Sequence, residues 1–201
     1  MKHPALALLE FDSVAAGIRA ADVMVKRAPI AMLKAGTVHP GRYLVLLGGT
    51  VASVEEAWRA GIEAERRFLL DSVLLPDVHE EVYDGALGMR RALQEEALGV
   101  LETSTVATLL RAADAGVKGA EVHIAELRMA DDLGGRAFVL FDGLLNEVEA
   151  ALEIGTRCVE AEAIRHRSIL PRLDNNLRQL LNAGTHFAPC ETMQPDGAEL
   201  P

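Results

Sequence analysis

The side chains of this chain that could carry chemistry are six histidines, two cysteines and thirty acidic residues. Cys158 and Cys190 are far apart and lack the short spacing of a metal-binding pair, so we expect free thiols. Glu10 and Glu102 each end an apolar run, but the sequence places no second acid or base beside them, which favours structural hydrogen bonding over catalysis. The sequence contains no glycine-rich dinucleotide motif, Walker loop, nucleophile elbow or His-Glu-x-x-His helix.

His39 is the most informative of these residues, because it lies in a segment rich in loop-forming residues (36–41, GTVHPG). A second such segment, residues 131–135 (DDLGG), carries two carboxylates followed by two glycines. Imidazole and carboxylate groups on exposed loops can bind cations, change charge with pH or simply be solvated. What these loops do therefore depends on how many of them converge.

The elements that position both loops are encoded twice. Residues 5–10 (ALALLE) are matched by residues 97–102 (ALGVLE), and residues 19–22 (RAAD) by residues 111–114 (RAAD). Each copy is long enough to bury its own core, so a repeat on this scale indicates a duplicated domain. We predict a first domain over residues 1–90, a second over residues 91–183, and a weakly packed tail over residues 184–201.

Hydrophobic periodicity predicts the same element order in each half: strand, helix, strand, strand, helix, strand. The predicted strands are residues 5–11, 30–35, 42–47, 69–75, 97–102, 122–128, 136–141 and 166–170, and the predicted helices are residues 14–26, 51–67, 105–118 and 145–160. This order predicts an α/β fold of two similar domains. The segment between them, residues 77–96, is predicted to be partly helical, and the second loop is expected to be longer than the first.

Composition excludes several classes of partner. The formal net charge is −10 and the pI is near 5.1, which argues against nucleic acid and anionic membranes because both attract basic surfaces. No apolar run is long enough to span a bilayer. Lys2 precedes a short apolar run, but Glu10 and Asp12 interrupt that run too early for a signal peptide. We therefore expect no nucleic-acid and no membrane partner.

The shared pattern resembles a known family. In both copies Ala-Leu-x-x-x-Glu is followed by Ala-Ala-Asp-x-x-x-Lys, a glycine-containing loop before an apolar strand, and a closing strand that ends in proline. This pattern resembles the bacterial microcompartment shell domain in its non-permuted order, and the whole chain is most similar to tandem-domain shell proteins of the propanediol-utilisation trimeric type. The resemblance implies a homotrimeric, flat pseudohexamer that joins other shell proteins by lateral edge contacts. It implies a structural, non-enzymatic role in a microcompartment shell in the bacterial cytoplasm.

The resemblance also implies a central pore lined by both loops. The implied lining residues are Val38, His39, Pro40 and Gly41 from the first loop and Asp131, Asp132, Leu133, Gly134 and Gly135 from the second. Relatives of this type carry an iron–sulfur cluster on a cysteine in the first loop. Because His39 stands there and such clusters are held mainly by thiolates, we expect no cluster here.

Three His39 side chains around a threefold axis leave several hypotheses open. They could bind a divalent metal with an open fourth position, form a ring whose charge changes with pH, or only set pore width and polarity, which we favour. Asp131 and Asp132 could favour cations or neutral metabolites over anions, or could be solvated turn residues. Two other classes of function also use the His39 axis: a trimeric sensor of metal or small molecules, and a metalloenzyme.

The resemblance further implies contacts along the edge of each tile. Lys26 and Lys118 match the family's edge lysine, and Arg172 matches the arginine that follows the closing proline. The first copy has Asp77 at the position of Arg172, so alternate edges should differ. The alternative for the lysines is a basic residue that complements a helix C-terminus.

Overall fold

The computed structural model describes residues 3–190, 192 and 193. In the first half the elements are β1 (Ala5–Phe11), α1 (Val14–Arg27), β2 (Met32–Val38), β3 (Arg42–Gly49), α2 (Val51–Glu65), β4 (Leu69–Leu75) and α3 (Glu80–Ala86). In the second half they are β5 (Ala97–Thr103), α4 (Val106–Gly119), β6 (Val122–Met129), β7 (Ala137–Gly143), α5 (Leu145–Arg157), β8 (Ile164–Leu170) and α6 (Asn175–Ala183). The predicted α/β fold of two similar domains is confirmed.

Each half forms a four-stranded antiparallel sheet, in the order β2-β3-β1-β4 in the first and β6-β7-β5-β8 in the second. The registers correspond as well: Leu9 pairs with Val45 in the first sheet, and Leu101 pairs with Val139 in the second. The two sheets can therefore be compared residue by residue.

Two helices cover one face of each sheet. Ser13 and Thr105 cap α1 and α4, each accepting a backbone N–H three residues later at 3.3 Å. At Gly155 on α5 a Cβ would lie 2.6 Å from the carbonyl oxygen of Ala112, so glycine permits the close packing of α5 on α4. Among the described residues, no helix is both long and apolar enough to cross a bilayer.

The two halves share a core. The helix-facing side of the first sheet encloses one apolar cluster, with Leu9 and Phe11 fully buried. The opposite side, including Leu6 and Leu8, joins α3 and the core of the second half in a single larger cluster. The predicted boundary at residue 90 falls in an exposed segment, residues 87–92, between two halves that share this larger cluster.

Element ends shift by up to three residues elsewhere, but two differences from the sequence prediction bear on the site. The predicted strand 30–35 is β2, which runs to Val38, because residues 36–38 pair with residues 42–44 of β3. The first loop is therefore the short turn 39–41, and Val38 belongs to a strand. Helix α6 was not predicted; it follows β8 as α3 follows β4, so the repeat includes a third helix. Of the predicted tail, residues 191 and 194–201 lie outside the described residues.

Candidate functional site at the two loops and the domain junction

The first loop closes the β2–β3 hairpin. Gly41 has a φ of +94°, and its N–H donates to the carbonyl oxygen of Val38 at 3.0 Å. This left-handed backbone favours glycine and makes the turn tight. His39, Pro40 and Gly41 are exposed while Val38 is half-buried, so the turn presents the His39 imidazole at the tip of the hairpin.

The second loop, between β6 and β7, is longer, as predicted, and more irregular. Ala130, Asp132, Gly134 and Gly135 all have positive φ angles, of 55°, 60°, 63° and 81°. Backbone bonds hold the loop, including Leu133 N–H to Ala130 O at 3.0 Å. Asp131 and Asp132 are exposed to solvent, whereas Gly135 is buried.

Arg42 brings the two loops together. Its Nη1 donates to Glu10 Oε1 at 2.6 Å, to the carbonyl oxygen of Gly135 at 2.9 Å and to that of Ser104 at 3.3 Å. Arg42 directly follows Gly41, so the end of the first loop lies against the end of the second. A Cβ on Gly135 would lie 2.5 Å from Arg42 Cζ, so a side chain there would displace the guanidinium from its acceptors. Sequence reasoning missed this role, although both copies carry the same Gly-Arg pair.

Glu10 anchors this contact from below. Its side chain is fully buried, and Oε2 accepts the N–H of Val106 at the start of α4, at 3.0 Å. Burial raises the pKa of Glu10, against the opposing effects of the Val106 N–H and the Arg42 guanidinium. The expected structural role is confirmed, and its partner Val106 lies in the other domain.

Helix α4 packs against β4 of the first domain through polar contacts along its length. Asp71 accepts hydrogen bonds from the hydroxyls of Thr105 and Thr108. At the other end of the helix, Lys118 Nζ donates to the carbonyl oxygen of Asp77 and to Asp114 at 2.6 Å. Lys118 thus lies at the domain junction, while Lys26 is exposed and pairs with Asp22 at 2.6 Å. The edge roles of Lys26, Lys118 and the exposed Arg172 stay predictions.

Helix α3 covers β6, the edge strand of the second sheet. Glu81 Oε2 accepts the N–H of Ile124 at 2.6 Å, and Oε1 lies 2.9 Å from His123 Nδ1 and 2.5 Å from Arg91 Nη1. Burial would raise the pKa of Glu81, but these three partners outweigh it and the pKa is lowered. One turn further along, Gly85 packs directly on the side chain of Leu127.

The matching surfaces on the other side of each domain are uncovered. Where α4 packs on the first domain, Leu110 and Val117 are buried, with 0% and 6% of their surface exposed. Their counterparts on α1, Ile18 and Val25, are 53% and 42% exposed. The face of α1 that corresponds to the buried face of α4 therefore lies open in a single chain.

Glu102 and Arg136, the counterparts of Glu10 and Arg42, likewise have fewer partners. Within the described part of the chain, Arg136 Nη1 has one acceptor, Glu102 Oε1 at 3.3 Å, and both side chains are partly exposed. Arg42, by contrast, has three acceptors in two domains. The Glu10–Arg42 pair thus connects two domains, whereas the Glu102–Arg136 pair connects residues of one domain.

The segment after α6 braces the second loop. Arg128 donates to the carbonyl oxygens of Asp131 and Thr185, each at 3.3 Å, and lies 2.9 Å from His186 Nδ1. The Thr185 hydroxyl donates to Glu126 at 2.7 Å. The first residues of the predicted tail are thus hydrogen-bonded to β6, and nothing in the sequence pattern signalled this brace.

The described residues of one chain contain no group of three or more His, Cys, Asp or Glu that could hold a metal. His39 supplies a single exposed imidazole, so a metal there needs His39 from other copies. Both cysteines are exposed, Cys158 at the end of α5 and Cys190 after α6, and neither lies in the loops. The side chains of these loops do not fit an iron–sulfur cluster.

Comparison with known proteins gives consistent results. The BMC domain family matches the chain twice, over residues 5–78 and 97–173. The chain is 32% identical over 169 residues to the bacterial microcompartment shell protein PduT of Citrobacter freundii, covering 84% of this chain and 92% of that protein. It is 25% identical over 198 residues to the carboxysome assembly protein CcmO of a Synechocystis species, covering 91% of this chain and 66% of that protein.

A solved structure shares the architecture of both halves together. The crystal structure of a microcompartment protein from Desulfitobacterium hafniense DCB matches with a TM-score of 0.77 at 33% sequence identity. The match covers 87% of this chain and 98% of that chain. The tandem arrangement is therefore shared along with the single domain.

Proposed function

Since this chain belongs to the BMC family of bacterial microcompartment shell proteins, we propose that three copies close a pseudohexameric shell tile around a central pore. The protein is a structural component of a microcompartment shell, and its place is that shell, in the bacterial cytoplasm. We assign it no catalytic activity, because the family it belongs to is structural.

The observation that carries the trimer is the uncovered face of α1. Inside the chain the first domain buries the corresponding face of α4, including Leu110. If the second domain of one copy covers α1 of the next in the same way, Ile18 and Val25 become buried. Such a head-to-tail contact repeats from copy to copy and can close a ring.

The polar part of the junction supports the same arrangement. Arg136 and Glu102 correspond to Arg42 and Glu10, whose partners in the second domain are Gly135 and Val106. In the ring Arg136 would donate to the carbonyl oxygen of Gly41 of the next copy, and Glu102 would accept the N–H of its Val14. Each junction then contains a carboxylate that attracts both a guanidinium and a helix N-terminus.

The pore follows from the contact between the loops. Because Arg42 joins the end of the first loop to Gly135, a ring of three chains would gather six loops around its axis. Val38, His39, Pro40 and Gly41 would alternate around the opening with Asp131, Asp132, Leu133, Gly134 and Gly135. The exposed carboxylates of Asp131 and Asp132 would favour cations or neutral metabolites over anions.

The trimer is tested by placing a charge on the open face of α1. Ile18→Glu would bury a carboxylate in the proposed contact, so we expect monomers where the wild type is trimeric in multi-angle light scattering. Leu144→Glu is the matched control, because Leu144 is also 53% exposed and its counterpart Thr50 is exposed too. A wild-type protein that stays monomeric at all concentrations would overturn the proposal.

The state of the His39 axis needs its own measurement. We expect a pore without structural metal, because each chain offers one exposed imidazole at the first loop and its described residues contain no group of three or more His, Cys, Asp or Glu that could hold a metal. Elemental analysis of the purified trimer checks this. One divalent metal per three chains, lost in His39→Ala, would contradict it and would favour the metal-binding hypothesis.

A further inference from the structure

The contact between α3 and β6 shows how side-chain size is matched where the first domain packs on the second. Gly85 on α3 and Leu127 on β6 are both buried, and a Cβ on Gly85 would lie 2.9 Å from Leu127 Cβ. The glycine leaves room for the leucine, since any larger side chain at Gly85 would overlap it. This is a small residue on the helix matched to a large residue on the strand.

Helix α6 follows the second domain in the same way as α3 follows the first. The N–H of Val78 donates to the carbonyl oxygen of Pro4 at 3.0 Å, and the N–H of the corresponding Leu173 donates to the carbonyl oxygen of Glu96 at 2.9 Å. His79 caps α3 and Asp174 caps α6, each following its closing proline at the same distance. Counting from these caps, Leu180 on α6 occupies the position of Gly85 on α3.

The strand partner is identified by sheet register. Ala35 on β2 pairs with Val45, and Leu127 on β6 pairs with Val139. Val45 and Val139 in turn pair with Leu9 and Leu101, which are corresponding residues. Ala35 therefore stands on the first sheet where Leu127 stands on the second.

Large and small residues are thus exchanged between the two halves of the chain. We propose that α6 of one copy docks on β2 of the next copy. Leu180 on the helix would contact Ala35 on the strand, at the position where Gly85 contacts Leu127 inside the chain. The occupant of this surface is a second copy of the chain, so the inference rests on the proposed trimer. It adds the pair of residues that sets which domain meets which.

Both faces are less covered in the single chain than their internal counterparts, although Leu181 of α6 packs on an apolar cluster of its own domain and Leu180 is half-buried. Ala35 is exposed, and Leu33 on the same strand is 44% exposed. None of the residues of α6, all of which the structure describes, is buried, and Leu177 is 40% exposed. On the internal contact the corresponding helix has Val82 and Ala86 fully buried. The contact that covers α3 inside the chain is therefore missing for α6.

The exchange discriminates against wrong partners. If α6 docked on β6, Leu180 would meet Leu127, where there is room only for a glycine. If α3 docked on β2, Gly85 would face Ala35 and leave a gap. Only the alternating order of first and second domains matches a large residue with a small one at every junction.

A double-mutant cycle in the full chain tests the pair. Ala35→Leu should place two leucines in contact and Leu180→Gly should leave a gap, so each is expected to weaken trimerisation at least tenfold in analytical ultracentrifugation. The double variant Ala35→Leu/Leu180→Gly restores the leucine–glycine match of the internal contact and should recover most of that loss. Ala183→Leu is the control, because Ala183 is exposed and its counterpart Gly88 meets no described atom within 4 Å.

The outcomes separate this inference from the proposed function. A trimeric wild type whose assembly is unchanged by both single variants overturns the Leu180–Ala35 contact and leaves the tile intact. Losses that simply add in the double variant, with circular dichroism showing folded protein, also overturn it. A wild type that never forms a trimer overturns both.

Discussion

Arg42 and Arg136 are the same residue of the repeat in two environments. Arg42 reaches three acceptors in two domains, and its guanidinium lies on Gly135. Arg136 is exposed and reaches Glu102 at 3.3 Å. An Arg–carboxylate pair gains strength when it leaves water and finds further partners, so Arg42 contributes more to the single chain than Arg136 does.

Gly135 should be less tolerant of a side chain than its neighbour. Both Gly134 and Gly135 have positive φ angles, so alanine at either position costs about 1–2 kcal/mol of backbone strain. At Gly135 the new Cβ would also strike Arg42, so we expect Gly135→Ala to lower the free energy of unfolding by at least about 1 kcal/mol more than Gly134→Ala. Urea denaturation of both variants measures the difference, and equal midpoints would contradict it.

Helices α1 and α4 show what could be predicted at the scale of elements. Their apolar spacing and their capping residues were sufficient to place both helices within a residue or two. Spacing could not show that α4 is covered by another domain and α1 is not, because both carry the same apolar face. That difference depends on a contact between domains, which local pattern does not encode.

Strand β2 shows where local pattern gives the wrong answer. Gly36 and Thr37 favour a loop by their residue types, yet pairing with β3 draws them into the strand. The candidate site was likewise predictable only where its signals are local in sequence. Its loops were recognisable from glycine and proline, whereas the contact of Arg42 with Gly135 joins residues that are distant in the sequence and needed the fold.

The contact of Glu81 on α3 with β6 should make the free energy of unfolding depend on pH in the acid range. The pKa of Glu81 in the folded protein lies below its ordinary value of 4.5, so its ionised form stabilises the fold above that pH. This contribution is lost as the pH falls through the lowered pKa. We expect the free energy of unfolding of Glu81→Gln to vary less between about pH 5 and pH 3 than that of the wild type. Glu149→Gln, at an exposed position on α5, should keep the wild-type slope.

At the scale of the whole molecule, the edges of the proposed tile would be the surfaces left once the ring has closed. Lys26 and Arg172 are exposed, and they are the residues that the family resemblance assigns to contacts between tiles. Lys118 differs, because its ammonium group already donates to Asp77 within the chain. The two lysines of the repeat therefore have different surroundings in the single chain.

We expect Lys26→Ala combined with Arg172→Ala to reduce the formation of extended sheets in electron microscopy while discrete trimers remain. Both side chains are exposed, so the free energy of unfolding should change little. Arg59→Ala is a suitable comparison, because Arg59 is exposed on α2 and paired with Glu55 within its own helix. Sheets that persist in the double variant would argue against the edge assignment.

The segment between β4 and β5 has a consequence for how assembly depends on protein concentration. Because it keeps the second domain beside the first, three of the six junctions of the proposed ring would form as each chain folds, at an effective concentration in the millimolar range or above for a short connection. Only the other three junctions would depend on the amount of protein in the cell. Dilution should therefore dissociate the ring into whole chains, and the ratio of first to second loops at the pore stays fixed whatever the expression level.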